Sequence, residues 1–110
     1  MSFFAGYDQS LHHVAPGISR KILARGGRLM TVQVAFAAGV SSPPHAHPHE
    51  QVSYIVSGRF EFQVGTEKRV LSAGDSVYIP PDTTHGVRAL EAAVLIDVFT
   101  PQREDFLAGG

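Results

Sequence analysis

Three histidines stand at alternate positions in the segment HAHPHEQ: His45, His47 and His49, followed by Gln51. In an extended strand alternate side chains share a face, so these four groups could point the same way. Same-face residues lie roughly 6.5 to 7 Å apart along a strand, so one metal ion reaches only neighbours unless the chain bends. His45 and His47 fit that limit, and a bend near Pro48 would bring a later residue round.

A fourth histidine lies far along the chain. His85, in IPPDTTHGV, follows an apolar run and a proline-rich turn, as expected of a ligand that a neighbouring strand supplies. The competing interpretation is a polar surface run, which suits a lone histidine better than three in five residues with a distant fourth. The pattern therefore favours a metal site, whereas we interpret His12 and His13 as surface residues.

A second group that could do chemistry lies in VLIDVFTPQRE, near the end of the chain. A period of two puts Leu95, Asp97 and Phe99 on one side of a strand, in the interior or mouth of a barrel. A buried unpaired charge is costly, so Asp97 is either ion-paired with an arginine or catalytic. Arg103 is either a solvated residue of a terminal helix or a bidentate clamp for a carboxylate.

The elements that must position these residues are short and extended. Turns rich in Gly, Pro and Asp separate runs of β-branched and aromatic residues, and no long stretch keeps a helical period, which predicts an all-β chain. The predicted strands are Ile18 to Leu23, Leu29 to Ala37, Gln51 to Val56, Arg59 to Val64, Lys68 to Leu71, Ser76 to Ile79, Gly86 to Arg88 and Ala93 to Phe99.

The spacing of these strands predicts a sandwich or barrel of the jelly-roll kind. Ser57-Gly58 and Gly65-Thr66 have the composition of hairpin links. In RLMTVQVAF, four apolar residues alternate with Thr31, Gln33 and Ala35, the pattern of a strand with one buried face. Pro101 followed by QREDFLAGG predicts a short C-terminal helix.

The composition limits the classes of function. With 110 residues, of which 44% are hydrophobic and 17% charged, the sequence predicts a single domain over residues 1-110. A net charge of -1 without a Lys/Arg cluster argues against nucleic acid. The absence of cysteine excludes thiolate metal sites. The sequence shows neither a signal peptide nor a membrane-spanning run, and we expect a soluble, cytoplasmic protein.

The histidine segment resembles the first motif of the cupin superfamily, which runs Gly, five residues, His-x-His, three or four residues, Glu, six residues and Gly. Here it reads GVSSPPHAHPHEQVSYIVSG. Counting six residues back from Gly58 places the third motif ligand at Gln51 rather than Glu50. The resemblance thus sets Glu50 and His49 outside the group that touches the metal.

The second cupin motif is similar to GDSVYIPPDTTHGVRA, which supplies Gly74, Pro80 and His85. The sequence departs from this motif at Asp82, where Gly is usual, and at Ala89, where Asn is usual. Together the two motifs imply an all-β cupin jelly-roll β-barrel with the short C-terminal helix, and they do not by themselves imply an activity.

A narrower resemblance, to the family of the pectin degradation protein KdgF, runs over nearly the whole chain through HPHEQVSYIVSGRFEFQVG and VLIDVFTPQREDF. It implies an enzyme that converts 4,5-unsaturated monouronates into the linear 5-keto-4-deoxyuronate. It also implies a metal held by His45, His47, Gln51 and His85. Asp97 and Arg103 are the implied catalytic residues, and Phe99 and Arg103 bind the substrate.

Three histidines and one glutamine form a neutral ligand set, so a bound ion keeps its double charge and is a strong Lewis acid. Nickel, zinc, iron, manganese and copper all suit such a set. Two other functions stay open: a metal-bound cupin that binds a sugar acid without turnover, and a dioxygenase. The Asp97, Phe99 and Arg103 set favours catalysis, and Gln51 in place of Glu favours chemistry without oxygen. A homodimer through edge strands is also expected.

Overall fold

The computed structural model describes residues 2–108, so the final glycines of the predicted helical tail, Gly109 and Gly110, lie outside the described residues, as does Met1. A 3₁₀ turn, Gly6–Asp8, is followed by the strands β1 Leu11–Ala15, β2 Ile18–Gly26, β3 Leu29–Phe36, β4 Ser41–His45, β5 Glu50–Ser57, β6 Arg59–Val64, β7 Glu67–Ser72, β8 Ser76–Ile79, β9 His85–Ala89 and β10 Ala93–Thr100, and by the helix α1 Glu104–Leu107. No helix within this range has the length and apolarity needed to cross a membrane.

The strands form two antiparallel sheets. One has the order β1-β2-β3-β10-β5-β8, and the other has the order β4-β9-β6-β7. Their inner faces enclose a core in which Phe36 of the first sheet meets Phe60 of the second edge-on, with ring centroids 5.2 Å apart. The predicted all-β jelly roll with a short C-terminal helix is confirmed.

The predicted alternation along β3 is also confirmed, since Met30, Val32 and Phe36 are buried. β10 lies between β3 and β5, with Asp97 opposite Val32 on one side and Ser53 on the other. The strand that carries Asp97 is therefore central in its sheet, which fixes the position of this carboxylate.

Two strands were not predicted, β1 and β4. All five residues of β1 are exposed at a sheet edge, so no buried face leaves an alternating pattern in the sequence. β4 contains two prolines, whose missing N–H groups are tolerated because β4 is an edge strand with a register shift between Ser42 and His45. The chain then bends at Pro48 and His49, as predicted, before β5 begins.

The prediction of a hairpin at Ser57-Gly58 is wrong, because this link joins strands of different sheets. Gly58 has a φ of 74°, and a Cβ at this position would lie 2.5 Å from Ala93 Cβ. Only glycine fits at this position without strain, because the chain turns sharply from one sheet to the other and leaves no room for a Cβ. Gly65-Thr66 does form the predicted hairpin, between β6 and β7. The helix begins at Glu104, three residues beyond Pro101.

Candidate metal centre and the cavity beside it

Three of the predicted ligands meet at one end of the smaller sheet. His45 is the last residue of β4 and His85 the first of β9, and the two are direct partners across these strands. His47 follows in the bend before β5. One ring nitrogen from each histidine lies within 4.8 Å of the others, so the three could hold a metal ion.

Backbone carbonyls orient two of these rings. His45 Nδ1 lies 3.1 Å from the carbonyl oxygen of Pro43, and His85 Nδ1 lies 2.9 Å from that of Thr83. A carbonyl only accepts, so each Nδ1 carries the proton and each Nε2 keeps its lone pair. Nε2 of His85 is buried without a hydrogen-bond partner within residues 2–108. Such an orphaned nitrogen fits a metal ligand.

Gln51 extends the group of histidines toward a carboxylate. Its amide nitrogen donates to Ser53 Oγ and to Asp97 Oδ1, each at 3.0 Å. Its Oε1 lies 3.0 Å from His47 Nε2. When two ligand atoms each lie about 2.1 Å from an ion and subtend a right angle at it, they are about 3 Å apart. Gln51 Oε1 and His47 Nε2 therefore have the separation expected of adjacent ligands of one ion. The amide oxygen and the three imidazoles suit a divalent transition metal.

The buried histidines are neutral near pH 7. Burial, followed by the charges of Arg103 and His85, lowers the pKa of His47 to about 4. Burial also lowers the pKa of His85 below its ordinary value. Neutral imidazole is the form that binds a metal, so these two residues need not lose a proton first.

Among residues 2–108, the group of side chains that could hold a metal ion does not include Glu50 or His49. Glu50 is exposed on the opposite face of β5 from Gln51, where it accepts a hydrogen bond of 2.6 Å from the Tyr78 hydroxyl. The His49 ring is half-buried, with its centroid 5.3 Å from that of His47. The apparent acidic ligand of the sequence is thus a surface residue, and the amide next to it faces the histidines.

A cavity of about 210 Å³ opens beside the histidines. Its wall includes His45, His85, Gln51, Asp97, Phe99 and Arg103. His47 lies next to this wall, because its Nε2 contacts Gln51 Oε1 and its ring packs edge-on against that of Phe99, with centroids 5.8 Å apart. The structure therefore brings together all the site residues that the sequence predicts.

Asp97 is partly accessible from the cavity although protein surrounds it. Burial raises its pKa to about 6, against the opposing effect of hydrogen bonds from Ser53 and Gln51 and of the Arg103 charge. Ser53 Oγ donates to Asp97 Oδ1 at 2.5 Å. Within residues 2–108 the hydrogen bonds that this carboxylate accepts come from Ser53 and Gln51, which are neutral groups. It is largely ionised at neutral pH and is a stronger base than an ordinary aspartate.

Arg103 does not extend into solvent. Its side chain is 12% exposed and pairs with Asp105 through two bonds, Nε to Oδ1 at 3.0 Å and Nη2 to Oδ2 at 2.8 Å. Its Cζ lies 5.0 Å from the centre of the Phe99 ring. The guanidinium thus stands at the cavity wall, but one edge is occupied by a carboxylate of the same chain.

Sequence reasoning missed Ser53 and Arg20. Ser53 is fully buried two residues after Gln51, on the same face of β5. Arg20 is 7% exposed and lines the cavity from β2, where it stands between Ile18 and Ile22. In both strands a polar residue replaces an apolar one in a buried alternating row, and that irregularity is the signal that could have identified them.

Comparison with known proteins identifies a protein family and a similar characterised protein. The family model described as "Cupin domain" matches residues 32–99. The chain is 40% identical over 107 residues to the pectin degradation protein KdgF of Dickeya dadantii, covering 96% of this chain and 97% of that protein.

Solved structures agree with this relationship. KdgF from Halomonas sp. is 44% identical with a TM-score of 0.91, over 96% of this chain and 98% of that one. An RmlC-like cupin from Shewanella frigidimarina is 39% identical with a TM-score of 0.91, over 94% of both chains.

Proposed function

This chain belongs to the cupin family, and we propose that it is a metal-dependent enzyme that converts 4,5-unsaturated monouronates into the linear 5-keto-4-deoxyuronate. These substrates are products of pectate and alginate lyases. The observation that carries the proposal is the Gln51 side chain, whose oxygen faces His47 and whose nitrogen binds Asp97. One amide thus joins a metal site to a base. The similarity to two proteins named KdgF over nearly the whole chain supports the substrate class.

The residues that would hold the metal are His45, His47, His85 and Gln51 through Oε1. We propose a divalent nickel, zinc, iron, manganese or copper ion. When bound, the ion supplies Lewis acidity toward a substrate oxygen. Because the four ligands are neutral, they leave the charge of the ion undiminished, which a carboxylate ligand would not.

Asp97 acts as the general base. Within residues 2–108 both of its hydrogen bonds go to Oδ1, which leaves Oδ2 to take the proton of the anomeric hydroxyl. The bond from the anomeric carbon to the ring oxygen then breaks, and its electrons pass to that oxygen, which is part of an enol ether. Protonation of carbon 4 gives the ketone. Substrate and product are isomers, so the step needs neither oxygen nor a reductant.

Phe99 and Arg103 position the sugar. Phe99 packs against the ring from the cavity wall, between the histidines and the Arg103 guanidinium. Arg103 adds positive charge beside Asp97 and draws the uronate carboxylate into the cavity. These two residues thus set the side of the cavity on which the substrate acid group lies.

A homodimer is part of the proposal. β1 is an edge strand with five exposed residues. Outward-facing Val52 and Tyr54 of β5 are 40% and 46% exposed. A second copy covering these surfaces would remove an open edge and an apolar face. Analytical ultracentrifugation of the purified protein at several concentrations tests whether it forms a dimer. The cytoplasmic location stays a prediction from the sequence.

The proposed function is tested by product analysis under nitrogen. Unsaturated monouronates prepared with a polyuronide lyase are incubated with the purified, metal-loaded protein, and the product is identified by NMR. Equal rates with and without oxygen support ring opening. A requirement for oxygen would establish a dioxygenase, and stoichiometric binding of the monouronate without turnover would establish a binding module.

A further inference from the structure

Ser53 is a buried hydroxyl at the point where the candidate metal ligands meet the candidate base. It is fully buried in β5, and Asp97 is its direct partner across the pair of strands β5 and β10. On the same face of β5 its neighbours are Gln51 and Ile55, which are buried as well. A hydroxyl in this environment is stable only when it is hydrogen-bonded, so its partners indicate what it does.

Three polar atoms form a closed triangle at this position. Ser53 Oγ lies 2.5 Å from Asp97 Oδ1, and Gln51 Nε2 lies 3.0 Å from each of these two oxygens. An ionised carboxylate only accepts hydrogen bonds, so the Ser53 hydroxyl directs its one hydrogen to Asp97 and accepts from Gln51. Each contact of the triangle therefore has a donor as long as the amide nitrogen faces it.

The opposite orientation of the Gln51 amide does not satisfy this triangle. If the amide were rotated by half a turn, its oxygen would face Ser53 Oγ and Asp97 Oδ1, and the Ser53 hydroxyl would supply the single hydrogen for three contacts. Acceptor atoms left in contact without a hydrogen inside a fold are costly. The triangle thus holds Gln51 Oε1 on the other side, where it lies 3.0 Å from His47 Nε2.

The same hydroxyl makes the two oxygens of Asp97 different. Within residues 2–108 Oδ1 accepts from both Ser53 and Gln51, and Oδ2 accepts from neither. Without Ser53 one donor would remain, and the carboxylate could turn to offer it either oxygen. The serine therefore fixes which oxygen stays free to act on a ligand.

Ser53 exerts these effects through its neighbours. It belongs to the cavity wall, but none of its surface is exposed, so a ligand in the cavity does not reach its hydroxyl. We propose that Ser53 is a positioning residue that holds the Gln51 amide oxygen toward the histidines and the Asp97 carboxylate in one orientation. This assignment rests on the proposed uronate-converting function.

Zinc binding tests the effect on Gln51. The test compares Ser53→Ala with Ser57→Ala, a matched control four residues further along β5 that is exposed. Competition with a chelating dye measures the Kd for zinc. We expect Ser53→Ala to weaken zinc binding about tenfold or more, because residues that orient metal ligands contribute effects of this size, and Ser57→Ala to bind as wild type does.

Steady-state kinetics tests the effect on Asp97. At saturating metal we expect Ser53→Ala to lower kcat for the unsaturated monouronate about tenfold or more, with KM within about twofold of wild type, because Ser53 does not touch the substrate. The control should keep both constants. A serine with a purely structural role would lower the melting temperature and leave the zinc Kd and the kcat of the loaded protein unchanged, and that result overturns the assignment.

Should Ser53→Ala fail to fold, Ser53→Cys carries the test, because a thiol has a similar shape but is a weak donor. Wild-type zinc affinity and kcat in a folded Ser53→Cys variant would then be the contradicting result.

Nitrogen-15 NMR of the metal-free protein observes the amide itself. The chain has five glutamines and no asparagine, so its side-chain amide region contains five NH₂ pairs. The pair that Gln51→Glu removes belongs to Gln51. We expect this pair to exchange with water about tenfold faster or more in Ser53→Ala than in wild type, because a hydrogen-bond partner is lost. The other four pairs should keep their rates.

This exchange measurement separates the assignment from the proposed reaction. A wild-type protein that converts no monouronate would refute the reaction, whereas faster exchange of the Gln51 pair in Ser53→Ala would still support the role of Ser53. An unchanged exchange rate of that pair overturns the assignment.

Discussion

Gln51 and Asp97 are joined by a hydrogen bond of 3.0 Å from the amide nitrogen to Oδ1, across the pair of strands β5 and β10. The same amide presents Oε1 to His47 at 3.0 Å. A glutamate at position 51 could face the histidines but could donate nothing to Asp97. The choice of amide over acid therefore bears on the proposed metal site and the proposed base together.

Gln51→Glu tests this double role. The substitution places a second carboxylate beside Asp97, removes two donated hydrogen bonds and reduces the Lewis acidity of a bound ion. We expect turnover to fall about 100-fold while metal content, measured by inductively coupled plasma mass spectrometry, is retained. Turnover at the wild-type rate in the metal-loaded variant would show that the amide has no such role.

Asp97→Asn separates function from stability. The variant keeps the size of the side chain and an oxygen to accept from Ser53 and Gln51, but it removes the base, so we expect kcat to fall about 100-fold or more. It also removes a buried charge, so the metal-free variant should be more stable than wild type by about 1 kcal/mol in urea unfolding. A variant that keeps full turnover, or one that is strongly destabilised, contradicts the assignment.

Substitutions at Asp82 test why this chain tolerates an aspartate where the cupin motif usually has glycine. It has a φ of 58°, in the left-handed region that favours glycine, and its N–H donates to the His47 carbonyl at 2.8 Å. Asp82→Gly should lie within about 1 kcal/mol of wild type, since relieved strain offsets added chain entropy. Asp82→Val should cost about 1–2 kcal/mol. Equal stability of both variants in denaturant unfolding would refute this explanation.

Much of this fold and site can be predicted from the sequence, because it depends on the alternation of apolar and polar residues and on the spacing of the histidines. The row of Met30, Val32 and Phe36 and the spacing of His45, His47 and His85 carry their own signals. The Gln51 assignment needed motif resemblance, because periodicity alone treats His49 and Gln51 alike.

Other features depend on contacts that are distant in the sequence. Ser53 is important because Asp97 lies opposite it on β10. Arg20 reaches the cavity only because β2 joins the same sheet and Phe106 folds back onto it. β4 was missed because its prolines argue against a strand, and only its place at a sheet edge makes them tolerable. Strand pairing, rather than any local pattern, creates these relationships.

The Arg103–Asp105 pair gives a pH dependence with a definite sign. The hydrogen bonds from Arg103 lower the pKa of Asp105 below its ordinary value of 3.8. The pair therefore contributes stability above that value, and the contribution is lost as the pH falls through the lower pKa of the folded state. At pH 7 wild type should exceed Asp105→Asn in the free energy of unfolding measured with urea, by no more than about 1 kcal/mol because the pair is partly exposed.

The gap between wild type and Asp105→Asn should close in acid, whereas Glu104→Gln, a change at an exposed neighbour in the same helix, should differ little from wild type at either pH. A gap that persists unchanged in strong acid would mean that Asp105 stabilises the helix by other means than this pair.

We propose that a metal held by three histidines and Gln51 works with Asp97 to open the ring of an unsaturated monouronate. The most direct measurement is the rate at which the purified protein removes the absorbance of the 4,5 double bond from monouronates released by a polyuronide lyase. We predict acceleration over the spontaneous reaction that disappears after chelation and returns when a divalent transition metal is added. A metal-loaded protein that leaves the spontaneous rate unchanged would show that this chain does not catalyse the ring opening.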